Sequence, residues 1–215
     1  MLHRRRCSAV IGAVIGAVIA AAAMVLGGCG SSHGPSSAPA AAAPTTSSSP
    51  TAAGTTTRIF TPYRRSGAPT AGVVAHRSGS CFARSITVAT TGAYRCFAAN
   101  AILDPCFTAP GATHVLDCYA SPWSRAVRLR VAKLPSGGAA HVTRPWAIQL
   151  TGDQRCVATN GTATLVRGVA LTYQCTDGAA GLRSGSTEGV LTVLYRATDG
   201  AISTRTVVIA WRTAT

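Results

Sequence analysis

Acidic residues and lysine are scarce in this chain, and their scarcity limits the chemistry that its side chains can perform. Six Asp and Glu stand against 20 basic residues in a chain of 215, and Lys133 is the only lysine. Glycoside hydrolysis needs two carboxyl groups across a cleft. Asp104 and Asp117 each lie within two residues of a cysteine, where we expect them to cap turns. Glu188 lies in a loop rich in Gly and Ser, the kind of segment that carries functional residues.

The motifs of common hydrolases and metal sites are also missing. Residues 73–215 contain no G-x-S-x-G, and the whole sequence has no Ser-x-x-Lys and no C-x-x-C, so this region lacks the patterns of an α/β-hydrolase, a Ser–Lys enzyme and a zinc finger. His76, His114 and His141 are isolated and are interpreted as ordinary surface residues. We therefore predict no catalytic residue, no metal site and no cofactor. An extracytoplasmic hydrolase that uses Glu188 or Asp104 is the alternative.

The N-terminal segment has the composition of an export signal. Three arginines at positions 4–6 precede an uncharged run of mainly Ala, Val, Ile and Gly over residues 8–28, as in a signal peptide. The run ends in Leu-Gly-Gly followed by Cys29, which resembles the lipobox of bacterial lipoproteins. The resemblance implies cleavage after residue 28, diacylglycerol on the Cys29 sulfur and a location on the outer face of the cell membrane. The alternative is an uncleaved anchor, because about 20 apolar residues suffice to cross a bilayer.

Basic charge remains in excess after the signal segment. Its 28 residues contain three arginines and no acid, whereas the whole chain has a net charge of +14. Such an excess favours anionic partners. For an exported protein these are the membrane surface, an anionic envelope polymer or an acidic protein face, and we expect no nucleic acid. A GC-rich genome, which raises the Ala, Gly, Thr and Arg content, explains the composition equally well.

Residues 29–72 are predicted to form a lipidated, disordered linker. Residues 30–57 are almost entirely Ser, Ala, Pro, Thr and Gly, which provide too little apolar surface to offset the entropy lost on ordering. Residues 58–72 add Ile59, Phe60 and Tyr63 among prolines and glycines, so loose packing and disorder both remain open there. The folded domain is expected over 73–215, a length sufficient for its own core.

Six cysteines follow Cys29, and an even number in an exported domain predicts a disulfide framework. We expect three disulfides. We favour the pair Cys156–Cys175, because both residues fall in strands of one predicted meander. The other pairings stay open, since six cysteines allow about 15 connectivities. The six residues are Cys81, Cys96, Cys106, Cys118, Cys156 and Cys175.

Alternating apolar residues predict a mainly β fold, because successive side chains of a strand point to opposite faces. Asn160-Gly161 and Asp199-Gly200 are hairpin motifs, and Arg167-Gly168 indicates a turn. We therefore expect an antiparallel meander in the second half, within one sandwich-like domain. The alternating segments there are residues 146–150, 154–158, 162–166, 169–175, 191–196 and 202–211.

The first half is less regular. Residues 82–89, 115–119 and 127–131 are predicted strands, but residues 94–103 lack strict alternation. Because Asp104-Pro105 would end a helix, we expect one short helix over 94–103. A helix of this length is marginal by itself, and Cys96 and Cys106 would hold it near its ends.

Four short motifs resemble a group of uncharacterised secreted proteins and lipoproteins of actinobacteria, over residues 79–211. They are Gly-Ser-Cys-Phe at 79–82, Gly-Ala-Tyr-Arg-Cys-Phe at 92–97, Asn-Ala-Ile-Leu-Asp-Pro-Cys-Phe at 100–107 and Pro-Trp at 145–146. This resemblance supports the domain boundary and the disulfides and implies no activity. Tyr-Gln-Cys at 173–175 and Val-Leu-Tyr at 193–195 are similar to strands of membrane-bound lysozyme inhibitors. Inhibition of a wall-degrading enzyme is therefore a further alternative.

The candidate binding residues are basic and lie on one predicted strand and its flanks. Arg128 and Arg130 share a strand face, with Arg125 and Lys133 nearby in sequence. They would form a basic stripe suited to phosphate or carboxylate groups, although any solvated strand face carries such residues. We expect a lipid-anchored cell-envelope protein with a non-catalytic binding domain.

Overall fold

The part of the chain that the structure describes folds into β-strands. A computed structural model describes residues 54–136, 140–184 and 189–214. Those ranges contain no helix, which confirms the mainly β class, and hence no helix that could cross a membrane. The strands are β1 (Thr56–Phe60), β2 (Val73–Arg84), β3 (Ala93–Ala98), β4 (Ala101–Thr108), β5 (Val115–Cys118), β6 (Ala126–Val131), β7 (Ala147–Leu150), β8 (Arg155–Ala158), β9 (Thr164–Val166), β10 (Val169–Leu171), β11 (Tyr173–Cys175), β12 (Gly178–Leu182), β13 (Thr192–Ala197) and β14 (Ile202–Thr213).

Strands β2 to β6 form a closed barrel. Each pairs antiparallel with the next, and β6 closes the barrel by pairing with β2 in parallel. On β6, Leu129 and Val131 are buried while Arg130 between them is exposed. The buried side chains pack with Leu116 of β5 and with four disulfide-bonded cysteines. The barrel therefore encloses a packed core, as alternation along a strand requires.

Strands β7, β8, β11, β12, β13 and β14 form a second ring. They pair antiparallel in this order, and β14 also pairs with β7. This arrangement confirms the antiparallel meander predicted for the second half, with its ends joined rather than stacked as a sandwich. One half of β14 pairs with β13 and the other with β7. A bulge between Val207 and Ile209 shifts the register, so that Val207 and Ala210 are both buried.

The folded region begins before the boundary expected at residue 73. Strand β1 pairs in parallel with β14. Phe60 at its end is buried, and its ring centroid lies 5.1 Å from that of Tyr119 and 5.0 Å from that of Trp146. Tyr63 donates a hydrogen bond to the Phe107 carbonyl at 2.7 Å. Through Phe60 and Tyr63, residues 54–72 pack against the domain. Residues 29–53 of the predicted linker lie outside the described ranges.

The aromatic cluster around Phe60 joins the barrel to the ring. Phe107 and Tyr119 come from the barrel side and Trp146 precedes β7 of the ring, and all are almost fully buried. Their rings meet Phe60 and one another in tilted or edge-to-face contacts. Such contacts add about 0.5–1.5 kcal/mol per pair beyond the burial of apolar area.

The short helix expected over residues 94–103 is absent, and this prediction is wrong. The segment forms the hairpin of β3 and β4, whose turn residues Ala99 and Asn100 have φ of 47° and 63°. Two central residues with positive φ match the twist of paired strands. A register shift between Tyr94 and Cys96 interrupts the alternation. Because of this irregularity the apolar residues do not alternate regularly, and regular alternation is the pattern that identifies a strand in the sequence.

All three predicted disulfides form, and each joins directly opposite residues of neighbouring strands. Cys156–Cys175 links β8 to β11, which confirms the favoured pair. The other two link β2 to β3 and β4 to β5 within the barrel, as Cys81–Cys96 and Cys106–Cys118.

The hairpin predicted at Asn160-Gly161 is not formed. Strand β8 pairs with β7 and β11 instead, and β9 pairs with β10 through the predicted turn at Arg167-Gly168. The β9–β10 hairpin lies against β12, where a Cβ on Gly181 would come within 2.2 Å of the Ala170 carbonyl oxygen. Only glycine allows this close approach of two backbones.

Candidate functional site

A basic cavity opens where β2 and β6 run side by side. Their parallel pairing places His76 opposite Arg128 and Ser78 opposite Arg130. With Arg77 and Val115 these residues line a cavity of about 280 Å³. We call this group the basic cavity. Its polar side chains are hydroxyl, imidazole and guanidinium groups, which donate hydrogen bonds to anionic oxygens.

Arg128 in the basic cavity is held by a two-pronged ion pair with Asp117 of β5. Its Nε and Nη2 atoms donate to the two carboxylate oxygens, each at 2.9 Å. The Asp117 side chain is 0% exposed and that of Arg128 is 31% exposed. The hydrogen bond to the carboxylate raises the pKa of Arg128 above its ordinary value. Because Asp117 balances Arg128, the excess positive charge at the cavity comes from Arg77 and Arg130.

Two tyrosines near Asp117 remain neutral donors. Tyr119 donates its hydroxyl hydrogen to the Pro62 carbonyl at 2.8 Å, and burial together with the charge of Asp117 raises the pKa of Tyr119 to about 12. Burial, and then the charge of Asp117, also raises the pKa of Tyr63 above its ordinary value. At neutral pH neither phenol therefore adds negative charge beside the cavity.

The predicted basic stripe is divided by the fold. Arg128 and Arg130 lie together in the basic cavity, but Arg125 and Lys133 do not. Arg125 donates from Nη2 to the Val73 carbonyl at 2.9 Å and borders a different cavity. Lys133 borders a third cavity beyond the end of β6. Arg125 and Lys133 both lie outside β6, which spans Ala126–Val131, so the strand does not align them with Arg128 and Arg130.

His76 and Arg77 were not foreseen as part of the site. Both are exposed residues of β2, and they reach Arg128 and Arg130 only through the parallel closure of the barrel. Pairing between strands so distant in sequence leaves no local pattern. The consecutive basic residues after Val73-Val74-Ala75 are the one feature of the sequence that points to this segment.

A cluster of two tryptophans and two arginines is engaged in internal contacts. The Trp123 ring meets the Trp211 ring edge-on, with centroids 6.0 Å apart. The Arg155 guanidinium lies 5.1 Å from the centre of the Trp123 ring, and that of Arg58 lies 5.5 Å from the Trp211 ring. The contacts fasten the loop after β5 to the ring of strands.

The acidic residues next to cysteines have different roles. The Asp104 carboxylate accepts hydrogen bonds from Ser85 Oγ at 2.5 Å, Thr87 Oγ1 at 3.0 Å and the Ile86 backbone N–H at 3.2 Å. It thus caps the turn after β2, as predicted, and burial raises the pKa of Asp104. The prediction of a turn cap is wrong for Asp117, which lies within β5 and holds Arg128.

Two residues singled out in the sequence lie outside the described residues, namely Cys29 and Glu188. Within the described ranges, His, Cys, Asp and Glu form no group of three that could hold a metal ion. Comparison with protein-family models, with curated proteins and with solved structures yields no match. A proposal of function therefore depends on the geometry of this chain.

Proposed function

We propose that this protein is a lipid-anchored cell-envelope protein whose β domain binds an anionic envelope polymer or an acidic protein face without catalysing a reaction. The observation that supports binding is the basic cavity, in which His76, Arg77, Arg128 and Arg130 surround about 280 Å³. Among the described residues that line it there is no carboxyl group, and the nearby Asp117 is paired with Arg128.

The cavity suits groups with several anionic oxygens. Arg128 is held in one orientation by Asp117, so less side-chain freedom is lost when a ligand binds beside it. Arg77 and Arg130 are exposed and provide the planar, multiple donors that match phosphate or carboxylate. A repeating polyanion or an acidic protein surface would engage the exposed arginines together.

The proposed anchor is supported by the N-terminal sequence alone. The basic residues, the apolar run and Leu-Gly-Gly before Cys29 resemble the parts of a bacterial lipoprotein signal. Two acyl chains at one site give stable membrane attachment, whereas one gives marginal attachment. Binding would then occur at the outer face of the cell membrane, within reach of envelope polymers.

The binding proposal is tested with two polyanions of different chemistry. Inorganic polyphosphate and polygalacturonate are titrated into the oxidised protein, and a wall-degrading lysozyme is included to test the alternative of enzyme inhibition. We expect the protein to bind at least one polyanion at 0.1 M salt. This binding should be lost at 1 M salt, because the electrostatic screening length falls from about 10 Å to about 3 Å. Phosphate and carboxylate ligands are thereby distinguished.

A double variant assigns the binding to the basic cavity. Arg77→Gln/Arg130→Gln removes two exposed contacts worth about 0.5–1 kcal/mol each, which corresponds to roughly 5- to 30-fold weaker binding. Arg167→Gln/Arg183→Gln is the matched control, since this second arginine pair borders a different cavity near β9 and β10. Equal weakening by both pairs would show that only net charge matters. Absence of binding by the unchanged protein would reject the proposal.

The anchor is tested by Cys29→Ala in the producing cell. We expect the variant to lose the lipid on residue 29 and to leave the membrane fraction, as measured by mass spectrometry of the N-terminal peptide and by fractionation. Membrane retention of Cys29→Ala without lipid would instead indicate an uncleaved apolar anchor.

A further inference from the structure

A second cavity lies where one end of the barrel meets the outer face of the ring. Its volume is about 340 Å³, within the range of small-molecule sites. On one side it is bounded by β4, β5 and β6 of the barrel, and on the other by β8 and β11 of the ring. Gln174 of β11 lies opposite Val157 of β8 in the strand register, so both project from the same face of the ring.

We call this space between the barrel and the ring the interbarrel cavity. Its walls are mostly aliphatic. Leu103, Val127 and Val157 contribute side chains from β4, β6 and β8, and all three are half-buried. Ile102, which is 41% exposed, extends the apolar wall to the surface. Cys118 at the wall is disulfide-bonded, so it offers no thiol. At roughly 30 Å³ per heavy atom, the share of a liquid water molecule, the space holds about 11 heavy atoms.

Arg125 places a positive charge on the lining. It is the only cation among the described residues that border the cavity. Its Nη2 is fixed by the Val73 carbonyl at 2.9 Å, which uses one of the N–H donors of a guanidinium and leaves the others for a ligand. Asp104 also borders the cavity, and its carboxylate accepts hydrogen bonds from residues 85–87. The lining thus combines an aliphatic wall with one oriented cation.

We propose that the interbarrel cavity binds a medium-chain aliphatic carboxylate, with the chain against Leu103, Val127 and Val157 and the carboxylate on Arg125. This is a site separate from the basic cavity, and its ligand differs in being apolar along most of its length. Burial of the chain contributes affinity through the apolar area removed from water. The guanidinium of Arg125 selects the charged end through charge-assisted hydrogen bonds.

Octanoate, with ten heavy atoms, is the probe for the proposal. It is titrated below its micelle concentration into the full oxidised chain, followed by calorimetry and by ligand-observed NMR, in parallel with 1-octanol and butyrate. We expect saturable octanoate binding, at least fivefold weaker binding of 1-octanol and no detectable binding of butyrate. Arg125→Gln should weaken octanoate binding about five- to tenfold, whereas Arg65→Gln, in an exposed turn, should leave it unchanged.

Filling the cavity provides an independent test. Val157→Trp is expected to reduce octanoate affinity at least tenfold, and Thr159→Trp, from the same wall, serves if the first variant does not fold as judged by near-ultraviolet circular dichroism. Unchanged affinity in a folded filling variant would overturn the proposed location. Equal binding of octanoate and 1-octanol, or no binding of octanoate at all, would overturn the proposed ligand class. Polyanion binding at the basic cavity is unaffected by either result.

Discussion

Removal of the Arg128 guanidinium is expected to destabilise the barrel strongly, because it leaves the Asp117 carboxylate buried without its partner. In the folded protein Asp117 is 0% exposed and accepts two hydrogen bonds of 2.9 Å from Arg128. Loss of one member of a buried pair costs about 3–5 kcal/mol. Arg128 is itself 31% exposed, so water reaches the space that Arg128→Ala opens. We therefore expect a cost near the lower limit, about 3 kcal/mol.

The cost is measured by urea unfolding with the disulfides intact, followed by circular dichroism. A loss of about 3 kcal/mol corresponds to a fall in Tm of roughly 6–12 °C for a domain of this size. Arg130→Ala is the control, because Arg130 is two residues away on the same strand and exposed. It should change stability by no more than about 0.5 kcal/mol.

Replacement of both members separates an isolated charge from a lost contact. Arg128→Leu/Asp117→Leu removes the carboxylate together with its partner, and exchange of a buried pair for apolar residues is often neutral. We expect the double variant to recover most of the stability lost in Arg128→Ala. If Arg128→Ala costs less than about 1 kcal/mol, or no more than Arg130→Ala, the view of Asp117 as a buried, dependent carboxylate is refuted.

Two further predictions concern the turn after β2 and the disulfide of the ring. Because burial raises the pKa of Asp104 above its ordinary 3.8 in the folded state, that state binds more protons than the unfolded chain, and stability falls as pH rises from 3.8 through the folded pKa. Asp104→Asn should flatten this part of the stability profile, and an unchanged profile would contradict the assignment. Cys156→Ala/Cys175→Ala opens a loop with a sequence separation of 19 and should cost about 3 kcal/mol in urea unfolding; a cost below about 1 kcal/mol would argue against this bond.

Local patterns were sufficient for some of the strands that adjoin in sequence. The alternation over β13 and β14 and the Asp199-Gly200 motif between them predicted a hairpin, and the structure contains it. Cys156 and Cys175 were paired correctly because both belonged to recognisable strands of one meander. In each case the information lies in side-chain period and turn chemistry, which act within a few residues.

The errors occur where tertiary contacts outweigh local preference. Residues 94–103 were assigned to a helix because a register shift near Cys96 hides the alternation of β3. The composition around Phe60 is typical of a linker, and it led to a predicted domain boundary at residue 73. In the structure the Phe60 ring packs against Tyr119 and Trp146 in the aromatic core. Burial of a single large aromatic side chain contributes enough free energy to offset the entropy lost when several small neighbours become ordered.

The sequence by itself determined the β class, the three-disulfide framework, one of its pairings and the excess of positive charge, because period, cysteine parity and composition are properties of the chain alone. Only the tertiary structure decided which basic residues share a surface. The parallel closure of β2 on β6 joined His76 and Arg77 to Arg128 and Arg130 and separated them from Arg125 and Lys133. The interbarrel cavity likewise exists only because one end of the barrel packs against the ring. This contact joins residues distant in sequence, and no local pattern encodes it.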